Sequence, residues 1–486
     1  MERKWWTLIA VCVAIFMLLL DITVVNVALP SIQSALKSSF SDLQWVVNAY
    51  ALTLAALLLT AGSLADLIGR RRVFVLGLIV FTASSFVCGL STTPLMLNLA
   101  RAVQGVGGAM MFATSLALLA QAFHGRERGT AFGVFGAVTG AAVAVGPVVG
   151  GIITSGIGWE WIFFVNVPIG IAAVAITLMR VVESRDPDAR RVDWIGLVTF
   201  SGALFMLVFA LIEGNEDGWG STRIVSLLLG SLVLFVAFVV AELKQERPML
   251  DLSLFRLPAF TGASIVAFAI SSSIFAMFLY LTLYIQDVLG YSALQAGLRF
   301  LPITLLSFVV APIAGRLSVR MPVRYLLGGG LLLVSAGLLA MTAIDSTSDW
   351  TTLIPGFALA GAGVGMVNPP LASTAIGVVH YSRSGMASGI NSTFRQVGIA
   401  TGIAGLGAVF QHDVTRAMLR HESHRAAFVG AFDDILKIAA AIAFVGAVLA
   451  LALVRQRDFV ASQGPAAEMA AESTASEAEP AGVAVP

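Results

Sequence analysis

Among the ionisable side chains inside the long apolar stretches of this chain, Asp21, Arg101 and Arg395 lie well away from the ends. In hydrocarbon such a residue costs about 2.5–3.5 kcal/mol on insertion scales, so it turns towards an interior cavity or a partner. A carboxyl group takes up and releases a proton, whereas a guanidinium stays charged and acts as a fixed positive centre. At a rise of 1.5 Å per residue, Arg101 lies about 10 Å from Pro94 and Asp21 about 14 Å from Pro30. Opposite charges therefore sit at comparable depth, and their facing one another is left open by the spacing, as is a plain hydrogen bond from Asp21 to a neighbouring helix. Arg395 lies about 16 Å into its own run. A functional cation and a fixed hydrogen-bonding strut are both open readings for it.

Other polar groups share these runs. Tyr280 and Tyr284 are one helical turn apart and could form a rim for an aromatic or cationic ligand, or anchor the helix at an interface. Asp66 precedes Arg70, Arg71 and Arg72, so it can cap a helix end or pair with an arginine. His421 and His424 would share a helical face, with His412 upstream, but no third ligand is fixed and no metal site is assigned. The glycines Gly136 and Gly140, with Ala144, recur every fourth residue and line one helical face that permits close helix approach. Pro147 deprives the Val143 carbonyl of its partner, so a bend is expected there. The face reads as a hinge or seal between moving parts, or as tight static packing.

The elements that must position these groups follow from composition. Of 486 residues, 58% are hydrophobic and 12% charged, with a mean hydropathy of +0.91. That is an integral membrane protein. A net charge of +1 offers nucleic acid no bulk attraction. Cys12 and Cys88 lie in apolar runs and read as small core residues. Fourteen apolar runs are each long enough to cross a bilayer as a helix: 6–29, 44–66, 73–91, 94–120, 129–154, 161–181, 194–213, 223–242, 260–286, 295–317, 323–343, 351–376, 384–411 and 432–454. The first is too long for a signal-peptide core and reads as an uncleaved span. Asn368-Pro369-Pro370 is expected to break the twelfth. Most basic residues fall in the segments that share a side with the N-terminus, which places both termini in the cytoplasm. The expected units are 1–181, a six-helix bundle; 182–259, a linker carrying two inserted helices; 260–455, a second six-helix bundle; and 456–486, a disordered tail rich in Ala, Glu and Pro. Outside these, 412–431 reads as an outer loop, and Glu213 to Trp219 as the outer connection of the inserted pair.

Five motifs carry a family resemblance in order along the chain. Gly136-x-x-x-Gly140 with Gly146-Pro147-x-x-Gly150-Gly151 resembles the antiporter motif of major facilitator superfamily exporters. The run Leu20 to Pro30 resembles the first-helix motif of their fourteen-helix drug:proton antiporters, the EmrB/QacA type. Gly62 to Arg72 resembles the superfamily's loop motif, with Leu67 where Arg is common. Leu97-x-x-x-Arg101-x-x-Gln104-Gly105-x-Gly107-Gly108 is similar to the fourth-helix motif. Gly385-x-Ala387-Ser388-Gly389 through Arg395 to Gly398 is similar to that of the thirteenth. Two departures stand out: Glu160 replaces Arg in Trp159-Glu160-Trp161, and a degenerate repeat of the loop motif at Gly315 to Arg320 has Val319 in place of Asp.

The resemblance implies an all-α major facilitator fold of two six-helix bundles plus two inserted helices. It implies proton-coupled export of hydrophobic or cationic drugs across the cytoplasmic membrane by alternating access. It assigns proton coupling to Asp21 and Arg101, a conformational latch to Asp66, Arg70 and Arg71, and the antiporter motif to Gly136, Gly140, Gly146, Pro147, Gly150 and Gly151. Asn26, Gln104, Tyr280, Tyr284, Asn391 and Arg395 are candidates for the substrate cavity. The expected partners are a small-molecule drug, protons and the bilayer, with no nucleic acid, no cofactor and a monomeric chain. A dedicated exporter of one antibiotic or metabolite shares the motifs, and a nutrient symporter is opposed by the antiporter motif. An ATP-driven pump or enzyme is excluded because none of Lys4, Lys37, Lys244 and Lys437 follows a glycine as a phosphate-binding loop requires.

Overall fold

The computed structural model describes residues 2–123, 125–185, 192–245, 248–318, 320–345, 347–379, 384–455 and 458. The charged segment 186–191, Arg247, Val319, Arg383 and, apart from Asp458, the tail 456–486 lie outside the described residues.

The described residues form helices and connections, with no strand among them. Fourteen long helices are α1 (Arg3–Leu36), α2 (Phe40–Ile68), α3 (Arg70–Gly89), α4 (Pro94–Ala122), α5 (Gly125–Gly156), α6 (Trp161–Arg180), α7 (Trp194–Asp217), α8 (Thr222–Lys244), α9 (Pro258–Val288), α10 (Ala293–Leu317), α11 (Val323–Met341), α12 (Ile354–Gly377), α13 (Ser384–Leu419) and α14 (His424–Leu453). In lipid every backbone polar group needs an internal partner, which a continuous helix supplies. Caps mark several starts. Ser39 and Asp42 form a reciprocal capping box on α2, and Thr93, Ser221 and Ser423 each accept from a first-turn N–H.

Three sequence expectations are corrected. Asn368-Pro369-Pro370 does not break α12, which runs unbroken through both prolines. Packing against α10 and α11 along its length holds the turn that the missing N–H groups leave open. The segment 412–431 is mostly not a loop, because α13 continues to Leu419 and α14 begins at His424; His412 and His424 lie on these helices, and His421, at φ 62°, sits in the short turn between them. Likewise α7 continues through Glu213 to Asp217, and only the turn at Gly218, in the left-handed region with φ 84°, connects it to α8. The structure also shows what periodicity could not: α9 contains two π-helical turns, Ser271–Phe275 and Tyr284–Val288.

Helices α1–α6 pack among themselves, and so do α9–α14. The two groups meet tightly at the arginine-poor end. There Gln44 of α2 donates to the Ile403 carbonyl at 2.9 Å, Tyr280 of α9 donates to the same carbonyl at 2.6 Å, and Gln286 donates to the Val27 carbonyl at 2.7 Å. Across the α5–α10 seam a β-carbon on Gly151 would stand 2.6 Å from the Ala293 carbonyl oxygen, and one on Gly297 would strike the Pro147 carbonyl. The same seam opens towards the arginine-rich end. A β-carbon at Gly140 would meet only Phe308, at 3.9 Å, and one at Gly136 or Gly133 would meet nothing within 4 Å.

The close-approach face of α5 is thus its second half, where Gly146 and Gly150 seat Thr23 and Val24 of α1. The face traced through Gly136, Gly140 and Ala144 is largely unoccupied in this conformation. This sets up a contrast between two substitutions. Gly150→Leu should lower the stability of the purified protein by about 1–3 kcal/mol, because the Val24 backbone lies 3.0 Å from its β-carbon. Gly136→Leu should stay within about 0.5 kcal/mol of the parent. Thermal unfolding in detergent measures both, and equal losses would contradict the assignment of the packed face.

Candidate functional site

The two opposite charges do face each other. Arg101 Nη1 is 2.5 Å from Asp21 Oδ2, and both side chains are 1% exposed. Further hydrogen bonds surround the pair. Gln104 Nε2 donates to Asp21 Oδ1 at 3.0 Å, and Asn166 Nδ2 donates to the same oxygen at 3.2 Å. Arg101 donates through Nη1 to Gln104 Oε1 at 2.8 Å and through Nε to the Val46 carbonyl at 3.0 Å. Its guanidinium carbon stands 4.3 Å from the centroid of the Tyr50 ring and 5.9 Å from that of Phe163. A buried ion pair holds only when both desolvated charges find this density of partners.

Local sequence explains how four helices converge. Gly105 and Gly108 of α4 remove side chains where α2 crosses; a β-carbon at Gly105 would stand 2.5 Å from the Tyr50 carbonyl oxygen, and at Gly108 2.9 Å from the Tyr50 hydroxyl. That closeness lets Arg101 reach the α2 backbone. Helix α6 supplies Asn166, itself held by a 3.0 Å bond to Ser85 of α3, whose hydroxyl donates to the Phe163 carbonyl at 2.9 Å. Gly146 of α5 backs onto Thr23, two residues along α1 from Asp21.

The other candidates are distributed as follows. Gln104 belongs to the ion-pair cluster and is fully buried rather than lining a cavity. Tyr280 and Tyr284 are both 0% exposed; the first closes the α2–α13 contact and the second stacks on Phe432 at 5.3 Å, so neither forms an open rim here. Asn391 is buried and reaches the Ala263 carbonyl at 3.4 Å. Asn26 is half-buried and turns back to the Ile22 carbonyl. Arg395 is half-buried, 5.8 Å from the Phe275 ring beside the first π-helical turn of α9. At the arginine-rich end Asp66 accepts from Arg70 at 2.9 Å. Arg71 instead ties the α2–α3 turn to α6 and the segment after it, through its side chain to the Leu178 carbonyl at 2.5 Å and its N–H to Glu183 at 3.0 Å. Gly69, at φ 120°, makes that turn.

Sequence reasoning did not single out Asn166, Tyr50, Ser85 or Glu183. Asn166 had a visible signal, a lone amide within an apolar run. Tyr50 and Ser85 had none, since only the α2–α4 and α3–α6 crossings make them neighbours of the charge.

A bundle of fourteen bilayer-length helices, closed at one end and carrying a buried ion pair, defines a multi-pass membrane transporter. The Major Facilitator Superfamily model matches residues 11–403, and the chain belongs to that superfamily. It is 37% identical over 404 residues to the multidrug resistance protein Stp of Mycobacterium tuberculosis, covering 83% of this chain and 75% of that one. It is 35% identical over 483 residues to the puromycin resistance protein pur8 of Streptomyces alboniger, covering 98% and 95%. Among solved structures it resembles a bacterial homolog of the human lysosomal transporter Spinster, in an inward-facing and unoccupied conformation. The TM-score is 0.65, with 16% identity over 95% of this chain and 99% of that one. The protein is therefore a secondary transporter by family, not an enzyme.

Removing one partner of the pair strands the other. Arg101→Ala should destabilise the protein by about 3–5 kcal/mol, because Asp21 becomes an uncompensated buried charge. The double variant Asp21→Asn, Arg101→Gln should recover a large part of that loss. A double-mutant cycle on unfolding in detergent measures the coupling, and additive losses would contradict it.

Proposed function

We propose that this transporter is a proton-coupled antiporter that exports hydrophobic or cationic drugs across the cytoplasmic membrane by alternating access. The arginine-rich end and both termini are placed in the cytoplasm, as the distribution of basic residues favours. One observation carries the reading: the carboxylate of Asp21 is buried at 2% exposure and its charge is held by side chains from two further helices, Arg101 and Gln104 of α4 and Asn166 of α6. The two relatives above, named for multidrug and for puromycin resistance, support the substrate class.

The cycle follows from that geometry. With Asp21 charged, α1, α4 and α6 are drawn together. A proton on Asp21 cancels the attraction and leaves Arg101 as an unmatched cation, so the helices gain freedom to rearrange. Proton entry down the membrane potential contributes about 2.3 kcal/mol per 100 mV, which drives drug movement the other way. Two six-helix units, residues 1–181 and 260–455, would rock about the contacts at α5–α10 and α2–α13. Asp66, Arg70 and Arg71 would set the position of the α2–α3 turn during that motion. Arg395 and Asn26, both half-buried, are the first residues to test for drug contact; Tyr280, Tyr284 and Asn391 would be exposed only by opening the other end.

The test is drug-stimulated proton flux in inverted membrane vesicles. Asp21→Asn, compared at matched amounts of folded protein in the membrane, should lose flux to the background. Arg101→Lys keeps the charge without the planar fork, so it should retain part of the flux with a shifted pH profile. Flux in Asp21→Asn equal to that of the parent would overturn the coupling role. A dedicated exporter of one antibiotic is the second reading, favoured by the near full-length match to pur8. A panel of unrelated cationic and neutral drugs separates the two, because a dedicated exporter protects against one chemical class alone.

A further inference from the structure

A second pair of acids lies far from Asp21 in sequence, where α7 begins, α8 ends and the linker to α9 departs. Asp193 caps α7, accepting from the Gly196 N–H at 2.7 Å. It also accepts from Gln245 Nε2 at 3.0 Å and from the Met249 N–H at 3.2 Å. Glu242, 3% exposed near the end of α8, accepts from the Leu250 N–H through Oε2 at 2.9 Å. Its other oxygen, Oε1, is buried without a hydrogen-bond partner. That oxygen points at Asp193: a single point, the position of a β-carbon on Gly196, lies 2.5 Å from both Asp193 Oδ2 and Glu242 Oε1.

Glu242 is buried and Asp193 half-buried, and two carboxyl oxygens this near each other repel unless something positive lies between them. The donors are unequally divided. Asp193 has two backbone N–H groups and an amide, all of which stabilise its anion, whereas Glu242 has a single N–H. Although burial works against the charged form, those hydrogen bonds hold the Asp193 carboxyl below its usual range. The proton therefore belongs on Glu242, whose O–H would donate to Asp193. Among the described residues near the pair, Lys244 on α8 and Arg256 beyond the linker are exposed, Asp251 is half-buried, and α2 contributes the neutral Thr60.

We infer that Glu242 and Asp193 form a second proton-binding site, one that fastens Gln245, Met249 and Leu250 of the linker to the inserted α7–α8 hairpin. The mechanical reach of the site is on the page. Met249 Sδ accepts from the Thr60 hydroxyl of α2 at 3.4 Å, so the fastened linker rests on the first bundle, and it continues into α9 of the second. At the other end of α7, Trp45 of α2 donates to Glu213 at 3.0 Å and Asn215 donates to the Ala408 carbonyl of α13 at 2.6 Å. The hairpin thus touches both groups of helices, and loss of the Glu242 proton would free the linker at one end of it. Because the site lies at the arginine-rich end, it would report the pH of that side alone.

The experiment is hydrogen–deuterium exchange of the full-length protein in lipid nanodiscs across pH, corrected for the intrinsic chemical rate. In the parent, protection of the Met249 and Leu250 amides should fall by about tenfold as rising pH removes the proton from Glu242. Glu242→Gln keeps a donor towards Asp193 and cannot ionise, so its profile should be flat. A flat profile in the parent, or a fall in Glu242→Gln that matches the parent, would overturn the site. The parent profile decides by itself should the variant fail to fold, and neither measurement depends on transport or on Asp21.

Discussion

Desolvated charge is the constraint on which the first six helices depend. Asp21 and Arg101 each carry a charge that hydrocarbon does not tolerate, and neither can be left alone. Satisfying both takes the Val46 carbonyl of α2, Gln104 of α4 and Asn166 of α6, with Ser85 of α3 behind Asn166. Four helices beside α1 are thereby fixed around one carboxylate. The glycines of α4 answer to the same demand, since a side chain at Gly105 would push α2 beyond reach of Arg101. Pairing and close packing are one requirement here, because the ring of Tyr50 covers the guanidinium only where the backbones nearly touch.

The contacts between the two groups of helices are of a different kind. Gln44, Tyr280 and Gln286 bond to backbone carbonyls across the interface at the arginine-poor end, and the Gly151 and Gly297 contacts bring backbone against backbone. Neutral hydrogen bonds and glycine contacts can be broken and remade without stranding a charge, as a transporter that alternates access requires. Beside Gly133 and Gly136 the α5–α10 seam is already open, with nothing within 4 Å of a β-carbon at either position. Two π-helical turns in α9 fall beside this machinery, one against Gly398 and Gly402 of α13 and the other carrying Tyr284 and Gln286. A π turn widens the helix by one residue and re-aims the side chains that follow it.

The inserted hairpin stands apart from both demands. Helix α7 covers the line where α2 meets α13, with Leu204, Val208 and Ile212 packed on Ala51, Leu52, Ala55, Ala400 and Ala404. Small residues on both flanks make that groove shallow enough to accept a third helix. Among the described residues its polar attachments lie at the two ends, at Glu213 and Asn215 on one and Asp193 with Glu242 on the other.

Sequence by itself determined the number and order of the helices, the apolar class of the protein, and the depth at which Asp21 and Arg101 lie, because bilayer thickness and helical rise are fixed lengths. It also marked Gly146, Pro147, Gly150 and Gly151 as a packing stretch. Helix ends were less legible. Hydropathy stops where polar residues begin, whereas α1, α7 and α13 carry their hydrogen bonding several residues past that point, and α12 passes two prolines because its neighbours hold it. Only the tertiary structure decided that Asp21 meets Arg101, since facing depends on helix rotation and on which helices cross. It also decided that Asn166 and Tyr50 complete the site, that Gly136 faces open space, and that Tyr280 seals an interface instead of lining a cavity. The pairing of Asp193 with Glu242 belongs to the same group, because residues separated by a whole helical hairpin become neighbours only when that hairpin closes.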